Sequence, residues 1–289
     1  MTGPGANGAA RISDLLRIPG GPVDLRAIDP SATPGFGGER ADADAEWPAL
    51  SERLAQMQEM LFAEGRAGGT RSVLLVLQGM DTSGKGGVLR RVMGAVDPQG
   101  VQIAAFKRPT QEELDHHFLW RIRRRVPEAG QIGVFDRSHY EDVVVARVHD
   151  LVPAYVWRGR YDEINHFEDQ LRDAGTRVIK CLLHISRDES RKRLLARLDD
   201  PTKHWKYAPG DVDERERWDD YLDAYEAAIE RCGAGVGSAP WYVVPADRKW
   251  YRNWAIARLL IEEFEDMDLS WPPADFDVEA ERKRLLAQP

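Results

Sequence analysis

A chain of 289 residues is long enough to bury a sizeable core, and 43% hydrophobic with 30% charged residues excludes a wholly disordered or fibrous protein. The formal net charge of −8 argues against a general nucleic-acid coat, yet a local basic groove in an acidic protein can still hold a polyanion. The two cysteines, Cys181 and Cys232, lie in no metal-ligand spacing, no apolar run nears the ~20 residues of a membrane span, and MTGPGANGAA lacks a secretory signal's regions. A cytoplasmic protein with neither membrane nor nucleic acid as partner is expected.

Residues 1–45, rich in Gly, Pro, Ala and Asp, read as an extended arm in which Ile12, Leu15, Leu16 and Ile18 form a short cluster able to dock. Leu50, Leu54, Met57, Leu61 and Phe62 recur at helical spacing, predicting a helix over 46–64 that ends at Gly65, Gly68 and Gly69. The stretch 72–87, SVLLVLQGMDTSGKGG, then passes from an aliphatic run into a glycine-punctuated turn, and Val88, Val92, Met93 and Val96 continue it at helical spacing. Strand, loop and helix in that order are what a phosphate-binding loop needs. Glycines let successive backbone N–H groups turn inward around phosphate oxygens, and the helix start adds partial positive charge.

Gly79, Gly84 and Lys85 satisfy G-x-x-x-x-G-K, but the next position, where a hydroxyl normally holds Mg²⁺, is Gly86. Gly79, Ser83, Gly84 and Gly86 are the loop's candidate phosphate-binding positions, with Lys85 as a mobile point charge. Asp81 lies inside the loop, where a carboxylate among phosphates repels them unless a divalent cation intervenes, so it reads as a metal ligand or base. A ligand-free glycine turn is the plain alternative.

Beyond the turn at 97–100, VQIAAF (101–106) makes a second strand, and Lys107 and Arg108 at its exit are candidate phosphate contacts. Residues 111–126 read as one helix whose arginine run is a solvated face; its adjacent His116 and His117 diverge and suggest no metal site. IGVFDRSHYEDV (132–143) opens with a third strand ending in Asp136 and Arg137. The acid is a second candidate for Mg²⁺, the guanidinium a donor to phosphate oxygens, and a buried pair without chemistry the alternative. A helix over 161–171 and a strand over 176–185 follow. Residues 187–211 are the densest basic stretch and read as a mobile lid carrying cations such as Arg191, Arg193 and Arg197 over phosphates, an ordinary surface helix being the alternative. A helix over 213–232, a strand at 241–244, a core helix through Trp250 to Phe264 and a charged terminal helix or tail complete the chain.

Five apolar runs alternating with helices predict an α/β protein: a central five-stranded parallel sheet with helices on both faces. The candidate catalytic residues are then Asp81, Lys85, Asp136 and Arg137, a set suited to phosphoryl transfer. GMDTSGKGG, FKRPT (106–110), FDRSHYEDV (135–143), RKRLLARLDDPTKHWKY (191–207) and PWYVVPADRKWYRN (240–253) together resemble the family-2 polyphosphate kinases, over roughly 46–266. The resemblance implies a P-loop kinase-like three-layer sandwich with a thymidylate-kinase-like core and a helical lid. It also implies Mg²⁺-dependent (or Mn²⁺-dependent) reversible transfer between inorganic polyphosphate and nucleoside mono- or diphosphates, in a homodimer or homotetramer. It sets a phosphotransferase unit at 46–270 and a tail at 271–289, with Asp81 and Asp136 holding the metal.

Gly86 and Asp136 look like the diphosphate-using members, whereas RSHYEDV and the lid resemble members that take monophosphates or both, so AMP against ADP stays open. An ATP-dependent nucleoside monophosphate kinase would share the loop, lid and acids, and a silent polyphosphate- or nucleotide-binding protein is the rival outside enzymology.

Overall fold

The computed structural model describes residues 10–233 and 239–289, and the chain enters it as a docked arm. Helix α1 (Ile12–Leu16) buries Ile12 and Leu16 while Leu15 faces out, and the Glu262 carboxylate accepts from the N–H groups of Ile12 at 2.8 Å and Ser13 at 2.9 Å. Leu25 is fully buried further along the arm. Helix α2 (Arg40–Arg66) starts at Arg40 rather than at 46, because the Asp42 carboxylate accepts the Glu39 N–H at 2.7 Å and caps an earlier turn. Pro48, which suggests a later start, lies inside the helix.

Strand β1 (Ser72–Gln78) is buried at every position, as a strand covered on both faces must be. Helix α3 (Lys85–Arg91) is shorter than its apolar spacing suggests; a 3₁₀ turn at Met93–Ala95 takes over before β2 (Val101–Ala105). The single helix expected over 111–126 is instead two turns, α4 (Gln111–Leu114) and α5 (Trp120–Arg123). Its backbone is interrupted where the His116 ring bonds the Glu112 carbonyl at 2.8 Å, a side chain competing for main-chain partners. Nor is its arginine run wholly solvated, since Arg121 is buried.

Strand β3 (Ile132–Asp136) runs into a 3₁₀ turn at His139–Asp142 and α6 (Val145–Val148), and α7 (Ala154–Asp173) leads to β4 (Thr176–His184). The basic stretch forms α8 (Arg187–Leu198), a 3₁₀ turn at Pro201–Lys206 and α9 (Gly210–Glu216). Then come α10 (Trp218–Gly233), β5 (Trp241–Pro245), α11 (Lys249–Asp266) and α12 (Val278–Leu286).

All five strands are parallel in the order β2-β3-β1-β4-β5, an α/β sandwich with β1 at its centre. Leu77 and Ala105 both pair with Asp136, so the carboxyl ends of β1, β2 and β3 converge on one crevice, where ligands of open parallel sheets bind. Beneath the β3 exit lies a buried polar network. The Lys180 ammonium donates to Glu168 at 2.6 Å, to the Tyr140 hydroxyl at 3.1 Å and to the Cys232 carbonyl, and His139 pairs with Glu168 at 3.2 Å. Burial works against the Glu168 charge, but Lys180 and His139 win and hold its carboxyl below its usual value. Both cysteines are free and buried.

Candidate active site

The loop after β1 takes the shape its glycines permit. Gly79 (φ +145°) and Gly84 (φ +109°) occupy the left-handed region, and a Cβ on Gly79 would lie 2.7 Å from the Leu183 carbonyl. Thr82 (φ +67°) and Arg137 (φ +62°) hold similar backbone without being glycine, so the fold strains two non-glycine residues at this one place. The Lys85 ammonium donates to the Gly79 carbonyl at 2.6 Å, placing it inside the loop. Burial lowers its pKa, with Arg137 adding to the effect.

From β3, Arg137 reaches across to Asp81 at 2.9 Å and stands 3.7 Å from Glu141. Burial opposes the Arg137 charge, but Glu141, Asp81 and Asp136 outweigh it and raise the pKa. Glu141 is the functional candidate that sequence reading passed over. Burial pushes its carboxyl up, and the Gln78 amide, oriented to satisfy its neighbours, donates to it at 2.9 Å. Its signal was present in FDRSHYEDV, but nothing local shows that residue 141 turns back onto Arg137. The structure therefore brings Asp81, Lys85, Asp136 and Arg137 together and adds Glu141.

Two concavities flank the loop. One, of about 720 Å³, is lined by Gly79, Asp81, Phe106, Lys107, Arg108 and Arg137 among others. Arg121 fixes its far wall by donating to the Lys107 carbonyl at 2.9 Å. The other, of about 380 Å³, touches the loop at Thr82 and carries Lys192, Arg193, Arg197, Lys203, Lys206 and Lys249 against the single acid Glu189. Of the expected lid cations, Arg191 is exposed and lines neither concavity. Arg197 bonds the Lys206 carbonyl at 2.8 Å and Asp211 at 3.3 Å.

Arg193 is a strut. Its guanidinium donates to the carbonyls of Thr82 (2.9 Å), Ser83 (3.2 Å), Ala246 (2.7 Å) and Asp247 (2.8 Å) and to Glu189 (2.8 Å), tying α8 to the phosphate loop.

Asp136 Oδ1 is buried without a hydrogen-bond partner, and so is the Ser83 hydroxyl. An orphaned carboxylate oxygen suits a hard cation, and Asp81, which is partly exposed, acts with Asp136 on the charges of Lys85 and Arg137. Among the described residues no cluster of three or more acidic, histidine or cysteine ligands exists.

A parallel sheet whose first strand opens into a lysine-bearing phosphate loop, with an acid and an arginine delivered by the neighbouring strand, defines a phosphotransferase of the P-loop kinase type. The sequence profile of the polyphosphate kinase 2 family matches residues 38–271, and the chain belongs to that family. It is 46% identical over 254 residues to the AMP/ADP-polyphosphate phosphotransferase of Meiothermus ruber, covering 88% of this chain and 93% of the relative. It is 42% identical over 247 residues to the ADP-polyphosphate phosphotransferase of Rhodopseudomonas palustris, covering 81% and 82%. The crystal structure of polyphosphate kinase 2 from Arthrobacter aurescens superposes with a TM-score of 0.93 at 50% identity, covering 98% of this chain and 99% of that one.

Proposed function

We propose that this enzyme transfers phosphoryl groups reversibly between inorganic polyphosphate and nucleoside mono- or diphosphates, with Mg²⁺ (or Mn²⁺) held by Asp81 and Asp136. The observation that carries the reading is the pair of concavities meeting at one loop. The larger, with mixed lining, suits a nucleotide; the smaller, whose charged lining is cationic but for Glu189, suits a linear polyanion.

The nucleotide's terminal phosphate lies against Arg137, Lys107 and Arg108. One of its oxygens attacks the terminal phosphorus of the polymer, a new P–O bond forms, and the bridging P–O bond breaks to leave a chain one phosphate shorter. Lys85, the loop amides and Arg137 neutralise the charge spread over the transferred group, and Gly79, Ser83, Gly84 and Gly86 shape the cradle. Asp81 and Asp136 would hold the cation, whose positive charge would offset the repulsion between the phosphates. Glu141 and Asp81 hold Arg137 from two sides, so its donors arrive already oriented.

We assign transfer to residues 40–270, the start moved from 46 because α2 begins at Arg40, with 187–211 as the lid, the stretch before Arg40 as an arm and 271–289 as a tail, and the working form to a cytoplasmic homodimer or homotetramer. Among the described residues no helix is long and apolar enough to cross a membrane.

The test is nucleotide chromatography after incubating the protein with Mg²⁺, long-chain polyphosphate and AMP, ADP, GMP or GDP in turn, without ATP. Triphosphate formed from a diphosphate is the expected result, and conversion of AMP decides whether monophosphates are accepted. Product only when ATP is supplied would overturn polyphosphate as donor.

A further inference from the structure

We propose that Arg252 is a positioning residue of the phosphate loop, a cation buried behind Ser83–Gly87 whose counter-charge is the phosphate the loop receives. The inference rests on the phosphate-loop reading above.

Arg252 stands in the first turns of α11, only 2% exposed. Its Nη1 donates to the Ser83 carbonyl at 3.1 Å, and Nη2 and Nε donate to Asn253 Oδ1 at 2.9 and 3.3 Å. No ion pair among the described residues includes it, whereas Arg193, which shares the Ser83 carbonyl, is paired with Glu189 at 2.8 Å. Burying an arginine without a carboxylate is costly unless another anion completes the site. The nearest anion-binding element is the loop it supports. Burial, with Arg193 beside it, pulls the guanidinium down to about 9, the direction expected of a cation lacking a partner.

The glycines report the same contact from the other side. A Cβ on Gly84 would fall 1.7 Å from Arg252 Nη1, and one on Gly87 would fall 2.5 Å from Nη2. The phosphate-loop pattern runs from Gly79 through residue 86 and so accounts for Gly84, but not for Gly87. Gly87 has ordinary helical backbone, so no left-handed conformation demands a glycine there. Space for the guanidinium does. Arg252 thus packs against the backbone that turns toward phosphate, fixing the Ser83 carbonyl while its charge reaches the ligand through the loop.

Inorganic tripolyphosphate, without nucleotide or metal, is the probe, and its dissociation constant and the melting shift it induces are measured on the full chain. Wild type should bind and be stabilised. Arg252→Met should weaken binding by roughly ten- to a hundredfold, the loss of a charged hydrogen-bonded contact, and Arg252→Lys should recover part of it. In steady state the KM for polyphosphate should rise while that for nucleotide stays within about twofold, a split that a mere shortage of folded protein does not produce. Gly87→Ala keeps the arginine but displaces its guanidinium. It should reproduce the loss, and combining it with Arg252→Met should cost no more than Arg252→Met alone.

Should Arg252→Met fail to fold, Gly87→Ala and Arg252→Lys carry the test. Wild-type affinity in Gly87→Ala together with either Arg252 variant overturns the proposal, as does a fall in kcat with both KM values unmoved. Failure of wild type itself to bind tripolyphosphate would sink the phosphate-loop reading, and this inference with it.

Discussion

Lys85 and Glu141 face the same small volume with opposite tasks. Lys85→Met should slow transfer by roughly 10²–10³-fold, the scale of removing one preorganised electrostatic group, with the far-ultraviolet spectrum unchanged because little packing is lost. A variant turning over at wild-type rate would contradict its place in the cradle. Burial pushes the Glu141 carboxyl above its ordinary value, so the folded chain holds that proton more tightly than the unfolded one. Its stabilising contribution is complete below the ordinary carboxylate pKa and is lost as pH rises through the raised folded value. Glu141→Gln keeps the shape without the charge. Its melting temperature should gain on wild type progressively as pH rises above the ordinary carboxylate value, while kcat falls because Arg137 loses one of its two holders. An advantage that shrank with rising pH would rule out burial as the cause. At this scale the sequence disclosed the residues whose chemistry is tied to local backbone. Gly79, Gly84 and Lys85 were readable because spacing fixes loop geometry. Arg252 and Glu141 were not, because their partners come from distant or back-turned chain and no spacing encodes that convergence.

For elements, the same division holds. β1, β3 and β4 announce themselves as aliphatic runs because a parallel sheet covered on both faces leaves no polar alternation. The break between α4 and α5 does not, since the apolar positions of 111–126 keep helical spacing across it and the interruption comes from side chain-to-backbone bonding. In the basic stretch the charge was legible but its direction was not: cations surround α8 on several sides, and only docking shows that Arg193 turns inward while Lys192, Lys203 and Lys206 line the groove. Replacing those three lysines with alanine should raise the KM for polyphosphate far more than that for nucleotide and flatten the salt dependence of polymer binding. Equal losses for both substrates, measured across a salt series, would remove the groove as the polymer's track.

Across the whole molecule, the arm ties the end of β4, the exit of β5 and the start of α11 to one another beside the site. The Ile28 carbonyl meets the His184 ring at 3.1 Å, the Pro30 carbonyl accepts from the Asp247 N–H at 3.0 Å, and the Pro34 carbonyl accepts from the Tyr251 hydroxyl at 2.8 Å. Asp247 in turn accepts from the Ser186 N–H that opens α8, and its carbonyl holds Arg193. Composition marked this stretch as an arm, but a few separated anchors dock it, and those carry no periodicity to read. Leu25→Ala should therefore lower unfolding free energy by ~2–5 kcal/mol in urea titration, the usual range for a fully buried leucine. A loss below that range would mean that the arm rests on the surface without bearing on the fold.

The two thiols offer a clock for such motions. Burial pushes Cys232 up to about 12 and Cys181 well above its ordinary value, so neither presents a reactive thiolate in the native fold. An alkylating reagent can mark them only as often as the protein opens. Cys181, in the strand beside β1, times rupture of the sheet, and Cys232, at the end of α10, times the loosening of one helix. A single pulse-labelling series would then separate the lifetime of the whole from the lifetime of a part.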